Sequence, residues 1–230
     1  MKDGDFVLLK APQIVIARKL RRGSAFVENE NYLNADIFTK QFYKPAIEIL
    51  PSCLNGIIFE QEYHIKDDRI PISKFAQDLD GFFSKIPQDT RYHFELRTEV
   101  YLADPVLDVL KKYRVGVVFS HWTWMPPLRK QLAKVKSEFS NSGNQFVFRL
   151  ITPLRMSYKE SYAKALPFNK MGSAMLDPKM IEDTGKIVNE AIKDKIQVKL
   201  IINNRAGGNA PLIAQKIAER FHSEKQQKLL

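Results

Sequence analysis

The chain contains 230 residues, of which 44% are hydrophobic and 27% charged, and this size and composition allow one domain with a substantial core. No segment has the roughly 18 consecutive apolar residues of a transmembrane helix, and the single cysteine, Cys53, excludes an intrachain disulfide, so we expect a cytoplasmic protein without membrane contact. The formal net charge of +10 favours a phosphorylated or polyanionic partner, although the acidic residues among the lysines of 134–139 and 186–195 also fit diffuse surface charge.

Apolar segments rich in β-branched and aromatic residues predict six β-strands, and most of these segments end in a polar or charged residue. The predicted strands are Phe6–Lys10, Leu54–Glu62, Tyr92–Arg97, Val115–His121, Phe146–Thr152 and Val198–Arg205. Helical patterns separate most of them, and this alternation is typical of βα units with a parallel sheet. Because the active face of a (β/α) barrel is built where its strands end, the polar strand ends predict a site there.

The first half of the chain contains one predicted loop and two long predicted helices. Pro12 ends the first strand, and the basic segment Arg18–Gly23 is expected to be a loop. A helix is predicted from Asn34 or Asp36 to about Leu50, and Pro45 within it implies either a kink or a start nearer Lys44. The next helix is expected to run from about Pro71 to Ile86 and to bury the residues Phe75, Leu79, Phe82 and Phe83.

The second half continues the same alternation. Helices are predicted over 106–113, 128–139, 177–195 and 210–221, with capping signals at Asp104–Pro105 and Asp177–Pro178. Residues Pro153–Leu176 form the longest irregular stretch, which we interpret as an active-site loop. We predict one incomplete β/α-barrel domain over residues 1–222 and a frayed C-terminal tail over residues 223–230.

Charged residues near the ends of the third and fifth predicted strands are candidate catalytic groups. Side chains alternate along a strand, so Glu95 and Arg97 share one face, while Phe94 and Leu96 suit the face that packs on helices. Arg149 stands in an otherwise apolar strand and needs a carboxylate or a bound anion. Glu95 can pair with Arg149 or with Arg97. Such a pair would be either part of a functional site or a structural ion pair that fills the barrel interior.

The loop after the last strand suggests an anion site. Asn203, Asn204 and Arg205 precede the Gly207–Gly208 pair, and glycines let backbone amides approach a ligand at the start of a helix. Phosphate sites of βα barrels often follow the last two strands. The pattern is neither a P-loop nor a G-x-G-x-x-G motif, and the alternative is a flexible loop with an ordinary helix cap at Asn209.

The loop after the fourth strand offers an imidazole and two indole rings. His121, Trp122 and Trp124 can stack on a base, a sugar or a guanidinium group, or they can simply cover the end of the barrel. His93 and His121 are metal ligands only if adjacent strands bring them together, and no zinc-like spacing is present, so no metal site is predicted. The residues indicate no particular cofactor.

Several of these segments resemble the YecE-like proteins, the domain-of-unknown-function family 72. The resemblance covers nearly the whole chain in order and spacing, and it rests on FVLLKAPQIV, YLNADIFTKQFYKPAIEIL, NGIIFEQ, YHFELR, VGVVFSHW, FVFRL and VKLIINNRAGGNAPLIAQKIAERF. The most distinctive matches are the strand end Lys10–Pro12, Glu95 with Arg97, and Asn203 with Asn204. The resemblance implies a TIM-like β/α barrel of unestablished activity, and it adds Lys10 to the candidate ligand-binding residues.

The chain departs from the family pattern at its N-terminus. Family members open with a Gly-Thr-Ser-Gly-Trp-Ser-Tyr-like strand end and a second strand that contains glutamate, and neither is found before Phe6. The predicted strands therefore correspond to the third to eighth strands of an α/β TIM-like barrel, with six of eight parallel strands. We expect a start codon assigned too late or a truncated gene, with a partner chain or oligomer that covers the gap as the alternative.

These observations predict an enzyme-like barrel that binds a phosphorylated or otherwise anionic ligand at the carboxyl ends of its strands, with phosphoester hydrolysis as one version. The alternatives are a non-catalytic nucleic-acid-binding protein, which would use the positive charge and the tryptophans, and an inactive fragment. Steep salt dependence of binding would favour nucleic acid over a single-phosphate pocket. Whether the chain is an enzyme is left open by its sequence.

Overall fold

Parallel strands and the helices that connect them make up most of the chain. The computed structural model describes residues 5–135, 141–172 and 175–227, with side chains described as far as Phe221. Tertiary contacts divide these residues into two units. The first contains residues 5–117 and 141–143, and the second contains residues 118–135, 144–172 and 175–227.

The first unit combines parallel strands with an antiparallel hairpin. Its strands and helices are β1 Val7–Lys10, α1 Gln13–Ile16, β2 Lys19–Arg22, β3 Ala25–Glu28, α2 Ala35–Ile37, α3 Lys44–Ile49, β4 Leu54–Glu60, α4 Ile72–Phe83, β5 Tyr92–Glu95 and α5 Asp104–Lys112. Short 3₁₀ turns lie at Lys66–Asp68 and Glu99–Tyr101. Strand β4 lies between β1 and β5 and pairs with both in parallel.

Aromatic side chains form the core of the first unit. The pairing of β4 with β5 points Phe59 and Phe94 to the same side, where Phe59 meets the rings of Phe38, Phe82, Phe83 and Tyr92. Phe94 packs against Phe75 and Phe83 of α4. The predicted apolar face of α4 is confirmed, since all of its selected residues are buried. Glu60, His93 and Glu95 therefore point to the opposite side of the strands.

The predicted loop over Arg18–Gly23 is wrong, because these residues begin a β-hairpin. Strand β2 pairs antiparallel with β3, and Gly23 supplies a positive φ of 62° at the turn. The predicted helix after Asn34 is present, with the Asn34 side chain accepting from the Ile37 amide. A π-helical segment, Phe38–Tyr43, follows α2, and α3 begins at Lys44, which is the alternative start predicted from Pro45.

The second unit contains most of β6 and the remaining elements. Its strands and helices are β6 Gly116–His121, α6 Leu128–Val135, β7 Gln145–Leu150, α7 Tyr158–Ala165, α8 Pro178–Lys193, β8 Gln197–Ile202 and α9 Ala210–Gln227, with a 3₁₀ turn at Asn204–Ala206. Strand β7 pairs in parallel with β6 and with β8. The rings of Phe119, Phe146 and Phe148 contact one another on one face of these strands.

Two predictions for the second unit need correction, and two others concern residues outside the described part of the chain. The stretch Pro153–Leu176 is not irregular throughout, because α7 forms within it and the Ser157 hydroxyl caps this helix by accepting from the Glu160 amide. Helix α9 continues to Gln227, beyond the predicted end at Phe221. Residues 136–140 and 228–230 lie outside the described part, so the predicted helix end at Phe139 and the last three residues of the tail remain predictions.

Strands β1 and β8 are less buried than the strands beside them. In the first unit, Phe6 is 64% exposed and Val7–Leu9 are half-buried. In the second unit, Val198–Ile202 are half-buried, whereas Phe146–Phe148 of the neighbouring strand are fully buried. Each unit thus contains a strand whose apolar side chains are partly in contact with water.

Across the described ranges, six parallel strands with intervening helices confirm the predicted α/β class and are consistent with an incomplete TIM-like barrel. Among the helices described, none is long and apolar enough to cross a bilayer.

Candidate functional site

Ion pairs connect the carboxyl ends of β1, β4 and β5 in the first unit. The Arg97 guanidinium contacts two carboxylates, with Nε 2.7 Å from Glu95 Oε1 and Nη2 2.9 Å from Glu60 Oε2. Lys10 Nζ lies 3.3 Å from the other oxygen of Glu60. The parallel pairing places Glu60 beside Glu95, so one arginine can reach both. The predicted pairing of Glu95 with Arg97 is therefore present, and it is extended by two further residues.

Burial decreases along these ion pairs from Glu95 to Lys10. Glu95 is 0% exposed, whereas the Lys10 side chain is 49% exposed. Gln61 accepts from the Arg97 amide at 2.9 Å and donates to the Thr98 hydroxyl at 3.1 Å, which fixes the backbone beside the arginine. The ion pairs of the described residues join two acids to two bases, Glu60 and Glu95 to Lys10 and Arg97. Such a charge-balanced arrangement fits the ion pair predicted as the alternative to a functional site.

His93 is held by hydrogen bonding and by close packing in the first unit. The side-chain oxygen Oδ1 of Asn141 accepts from the Gly143 backbone amide, so Nδ2 of Asn141 faces His93 and donates to its Nε2 at 3.1 Å. A Cβ atom at Gly116 would lie 2.8 Å from His93 Nδ1, and the glycine therefore leaves room for the ring. In the described residues, no group of three His, Cys, Asp or Glu side chains forms a metal-binding cluster.

His121 and Asp177 face each other in the second unit. His121 is buried, and its Nδ1 donates to the Thr152 carbonyl at 2.9 Å. Its Nε2 lies 3.6 Å from Asp177 Oδ2. Asp177 also caps α8, because its Oδ1 accepts from the Lys179 amide. The neighbouring His121 lowers the pKa of the Asp177 carboxyl below its usual value.

Replacement of Asp177 by alanine is expected to reduce the free energy of unfolding by about 0.5–2 kcal/mol at neutral pH, because α8 loses its cap. A lowered pKa in the folded state means that the ionised carboxylate stabilises the protein above about pH 4, and that this contribution disappears as the pH falls below that value. Urea denaturation between pH 3 and pH 7 measures both effects.

Asp177→Asn is the matched control, since asparagine caps a helix about as well but does not ionise. We expect this variant to keep most of the stability at neutral pH and to show a smaller loss in acid than wild type. Identical acid profiles for Asp177→Asn and wild type would show that the carboxylate does not contribute as described.

Arg205 lies on an aromatic ring, and none of the carboxylates in the described part of the chain neutralises it. Its guanidinium carbon is 4.1 Å from the centroid of the Tyr158 ring at the start of α7. Within the described ranges, the guanidinium makes no ion pair or hydrogen bond with the protein, and its Nε is buried. The guanidinium is therefore oriented by stacking, while its charge remains available.

The asparagines beside Arg205 organise the loop after β8. Asn203 Oδ1 accepts from the Arg205 amide, and Asn204 Oδ1 accepts from the Ala210 amide at the start of α9. Asn209 Oδ1 accepts from the Leu212 amide, so the ordinary helix cap predicted as the alternative is present. The amides of 207–208 donate to the Asn204 carbonyl and are thus engaged within the loop. The side-chain amide nitrogens of Asn203 and Asn204 are donors close to Arg205 in the chain.

The remaining sequence-predicted residues of the second unit lie on two sides of the strands. Ser120 and Arg149 are paired in register, so Arg149 points to the face opposite that of His121. Arg149 is half-buried, as is Trp122, and Trp124 is exposed. His121 and Arg149 are therefore not brought together.

Glu60 and Tyr158 are not among the site residues predicted from the sequence. Glu60 lies near the end of the predicted strand Leu54–Glu62, so the criterion that selected Glu95 could have found it. Tyr158 gave no comparable signal, because its contact with Arg205 depends on α7, a helix that was not predicted.

The comparisons with known proteins agree with the fold. A family model described as protein of unknown function DUF72 matches residues 26–229. A crystal structure of a DUF72 family protein from Enterococcus faecalis V583 is similar with a TM-score of 0.52 and 14% identity, over 84% of this chain and 68% of that chain. A search of curated proteins gives no match. Because the family model spans most of the sequence, the chain belongs to the DUF72 family, which is the YecE-like family that its sequence resembles.

Proposed function

We propose that the chain binds a phosphorylated or otherwise anionic small molecule at the carboxyl end of β8, with Arg205 as the principal anion-binding group. The proposal depends on one observation: the Arg205 guanidinium is stacked on Tyr158 and has no carboxylate partner in the described residues. Two other arginines with little exposure differ, because Arg91 pairs with Asp89 and Arg97 pairs with Glu95 and Glu60. A planar guanidinium without a protein anion suits bidentate binding of phosphate or carboxylate.

The surrounding residues have separate roles in this proposal. The amide nitrogens of Asn203 and Asn204 supply neutral hydrogen bonds to the bound anion, since their oxygens already accept from backbone amides. Tyr158 holds the guanidinium in place through its ring. Glu95 and Arg97 act as a buried structural pair rather than as an acid and a base, because Glu95 is inaccessible to solvent.

A thermal-shift titration with 2-phosphoglycolate tests the proposal. We expect the ligand to raise the melting temperature of the full chain, since binding to the folded state stabilises it by about 2.7 kcal/mol at 100 times the Kd. Arg205→Gln is expected to weaken binding about 10- to 100-fold, as the loss of charge-assisted hydrogen bonds predicts. Tyr158→Leu should weaken it less, because the guanidinium keeps its charge but loses its support.

Arg220→Gln is the matched control, because it removes an exposed arginine from α9 without changing the loop after β8. This variant should bind 2-phosphoglycolate as wild type does. Equal stabilisation of wild type and Arg205→Gln would overturn the proposal. So would binding of an oligonucleotide that weakens steeply with salt while 2-phosphoglycolate has no effect, the pattern of a nucleic-acid-binding protein.

A further inference from the structure

Lys199 is a lysine in the middle of β8, among apolar residues. The described strand runs Gln197–Ile202, and Lys199 is half-buried within it. In the pairing with β7, Lys199 lies opposite Val147 and Ile201 lies opposite Arg149. Residues paired in register point to the same side, so Lys199 and Arg149 share one face of the strands. This face therefore carries two cationic residues within the second unit.

Lys199 and the proposed anion site lie on the same face of β8 and of the residue that follows it. Side chains alternate along a strand, so Lys199, Ile201 and Asn203 point to one side, and Asn203 has extended backbone angles of −98° and 143°. Asn203 lies four positions after Lys199, which places their Cα atoms about 13 Å apart in extended backbone. A lysine side chain that leans along the strand towards Asn203 shortens the distance from the amine. A small ligand can thus span the gap between the amine and the asparagines beside Arg205.

The Lys199 amine is suited to nucleophilic chemistry. Burial lowers the pKa of Lys199 to about 8, so roughly a tenth of the amine is uncharged near pH 7. An uncharged lysine amine attacks a carbonyl carbon and forms a C–N bond. Two protons pass from the nitrogen to the carbonyl oxygen, the C–O bond breaks, and water leaves to give an imine. This step requires no oxidant or reductant.

We infer that Lys199 forms an imine with a phosphorylated aldehyde or ketone whose phosphate binds at Arg205 and Asn203. This inference rests on the proposed function, because it takes the anion site at the end of β8 as the phosphate subsite. It adds the substrate class, a carbonyl compound with a phosphate at its other end, and a covalent attachment point. The location of both subsites on one strand and the loop that follows it favours a single short molecule.

Borohydride trapping with glycolaldehyde phosphate tests this inference. Sodium borohydride reduces an imine to a stable secondary amine, and peptide mass analysis then identifies the labelled lysine. We expect the label on Lys199 to exceed that on Lys193, an exposed lysine at the end of α8, by about tenfold. Unphosphorylated glycolaldehyde should label Lys199 about tenfold less, because it lacks the group that Arg205 binds.

Matched variants separate this chemistry from general lysine reactivity. Lys199→Arg should abolish the specific label and keep a melting temperature near that of wild type. Lys193→Arg should leave the labelling of Lys199 unchanged. Arg205→Gln should retain weak labelling of Lys199 and lose the advantage of the phosphorylated aldehyde. Equal labelling of Lys199 and of exposed lysines would overturn the inference.

The same experiment distinguishes the failure of this inference from the failure of the proposed function. If 2-phosphoglycolate stabilises wild type and Lys199→Arg alike and no label accumulates on Lys199, the anion site stands and the imine is excluded. If Lys199 is labelled equally by the phosphorylated and unphosphorylated aldehydes and 2-phosphoglycolate has no effect, both the phosphate subsite and the inferred substrate class are excluded.

Discussion

Replacement of Glu95 by leucine is expected to lower the free energy of unfolding by about 3–5 kcal/mol, because it leaves the largely buried Arg97 without its nearest carboxylate. Glu60 continues to contact the arginine, so we expect a value near the lower end of that range. Chemical denaturation followed by tryptophan fluorescence measures the loss. Glu95→Gln keeps the size of the side chain and an acceptor oxygen, and it should cost less than leucine.

A double variant identifies the origin of this loss. In Glu95→Leu with Arg97→Met, both charges are removed together, and much of the stability should return because no uncompensated buried charge remains. Asp80→Asn is the control for an exposed pair, since Asp80 and Lys112 form an ion pair on the surface, and little change is expected. A double variant as unstable as Glu95→Leu would mean that the buried arginine is not the cause.

Replacement of Phe59 by alanine is expected to cost about 3–5 kcal/mol, the usual effect of removing a fully buried aromatic ring. Phe59 is 0% exposed, and its ring centroid lies 5.2–5.7 Å from those of four other rings, namely Phe38, Phe82, Phe83 and Tyr92. The lost ring removes contacts with β5, with α4 and with the π-helical segment at once. Urea denaturation of wild type and variant measures the difference.

Phe26→Ala is the matched control for this cavity, because Phe26 is 69% exposed on the β2–β3 hairpin. Its loss should change stability by less than about 0.5 kcal/mol. Phe59→Leu should lie between the two, since leucine fills part of the space. Similar stability for Phe59→Ala and Phe26→Ala would show that the aromatic cluster does not form the core of the first unit.

The six parallel strands were predictable from the sequence because their burial is reflected in continuous apolar segments. The buried face of α4 was equally clear, since Phe75, Leu79 and Phe82 recur at helical spacing. The Asp177 cap followed from an aspartate before a proline. The pairing of Glu95 with Arg97 followed from strand alternation.

The remaining features depend on contacts that local patterns do not encode. The hairpin of Lys19–Arg22 and Ala25–Glu28 has short strands in which half of the residues are charged. The backbone amides of Arg18 and Lys19 are held by the distant Glu62. Helix α7 has only weak amphipathicity, so its serine, lysine and tyrosine residues resembled a loop. The contact of Arg205 with Tyr158 arises from that helix and could not be predicted without it.

The ion pairs of Lys10, Glu60, Glu95 and Arg97 also affect the register of the strands as the first unit folds. If β4 slid by a single position against its neighbours, Glu60 would turn into the aromatic layer and Phe59 would take its place among the ions. Both exchanges are strongly unfavourable, since one buries an unpaired carboxylate among aromatic rings and the other places an aromatic ring among charged groups. The ion pairs and the aromatic layer thus both disfavour a one-residue slip of β4.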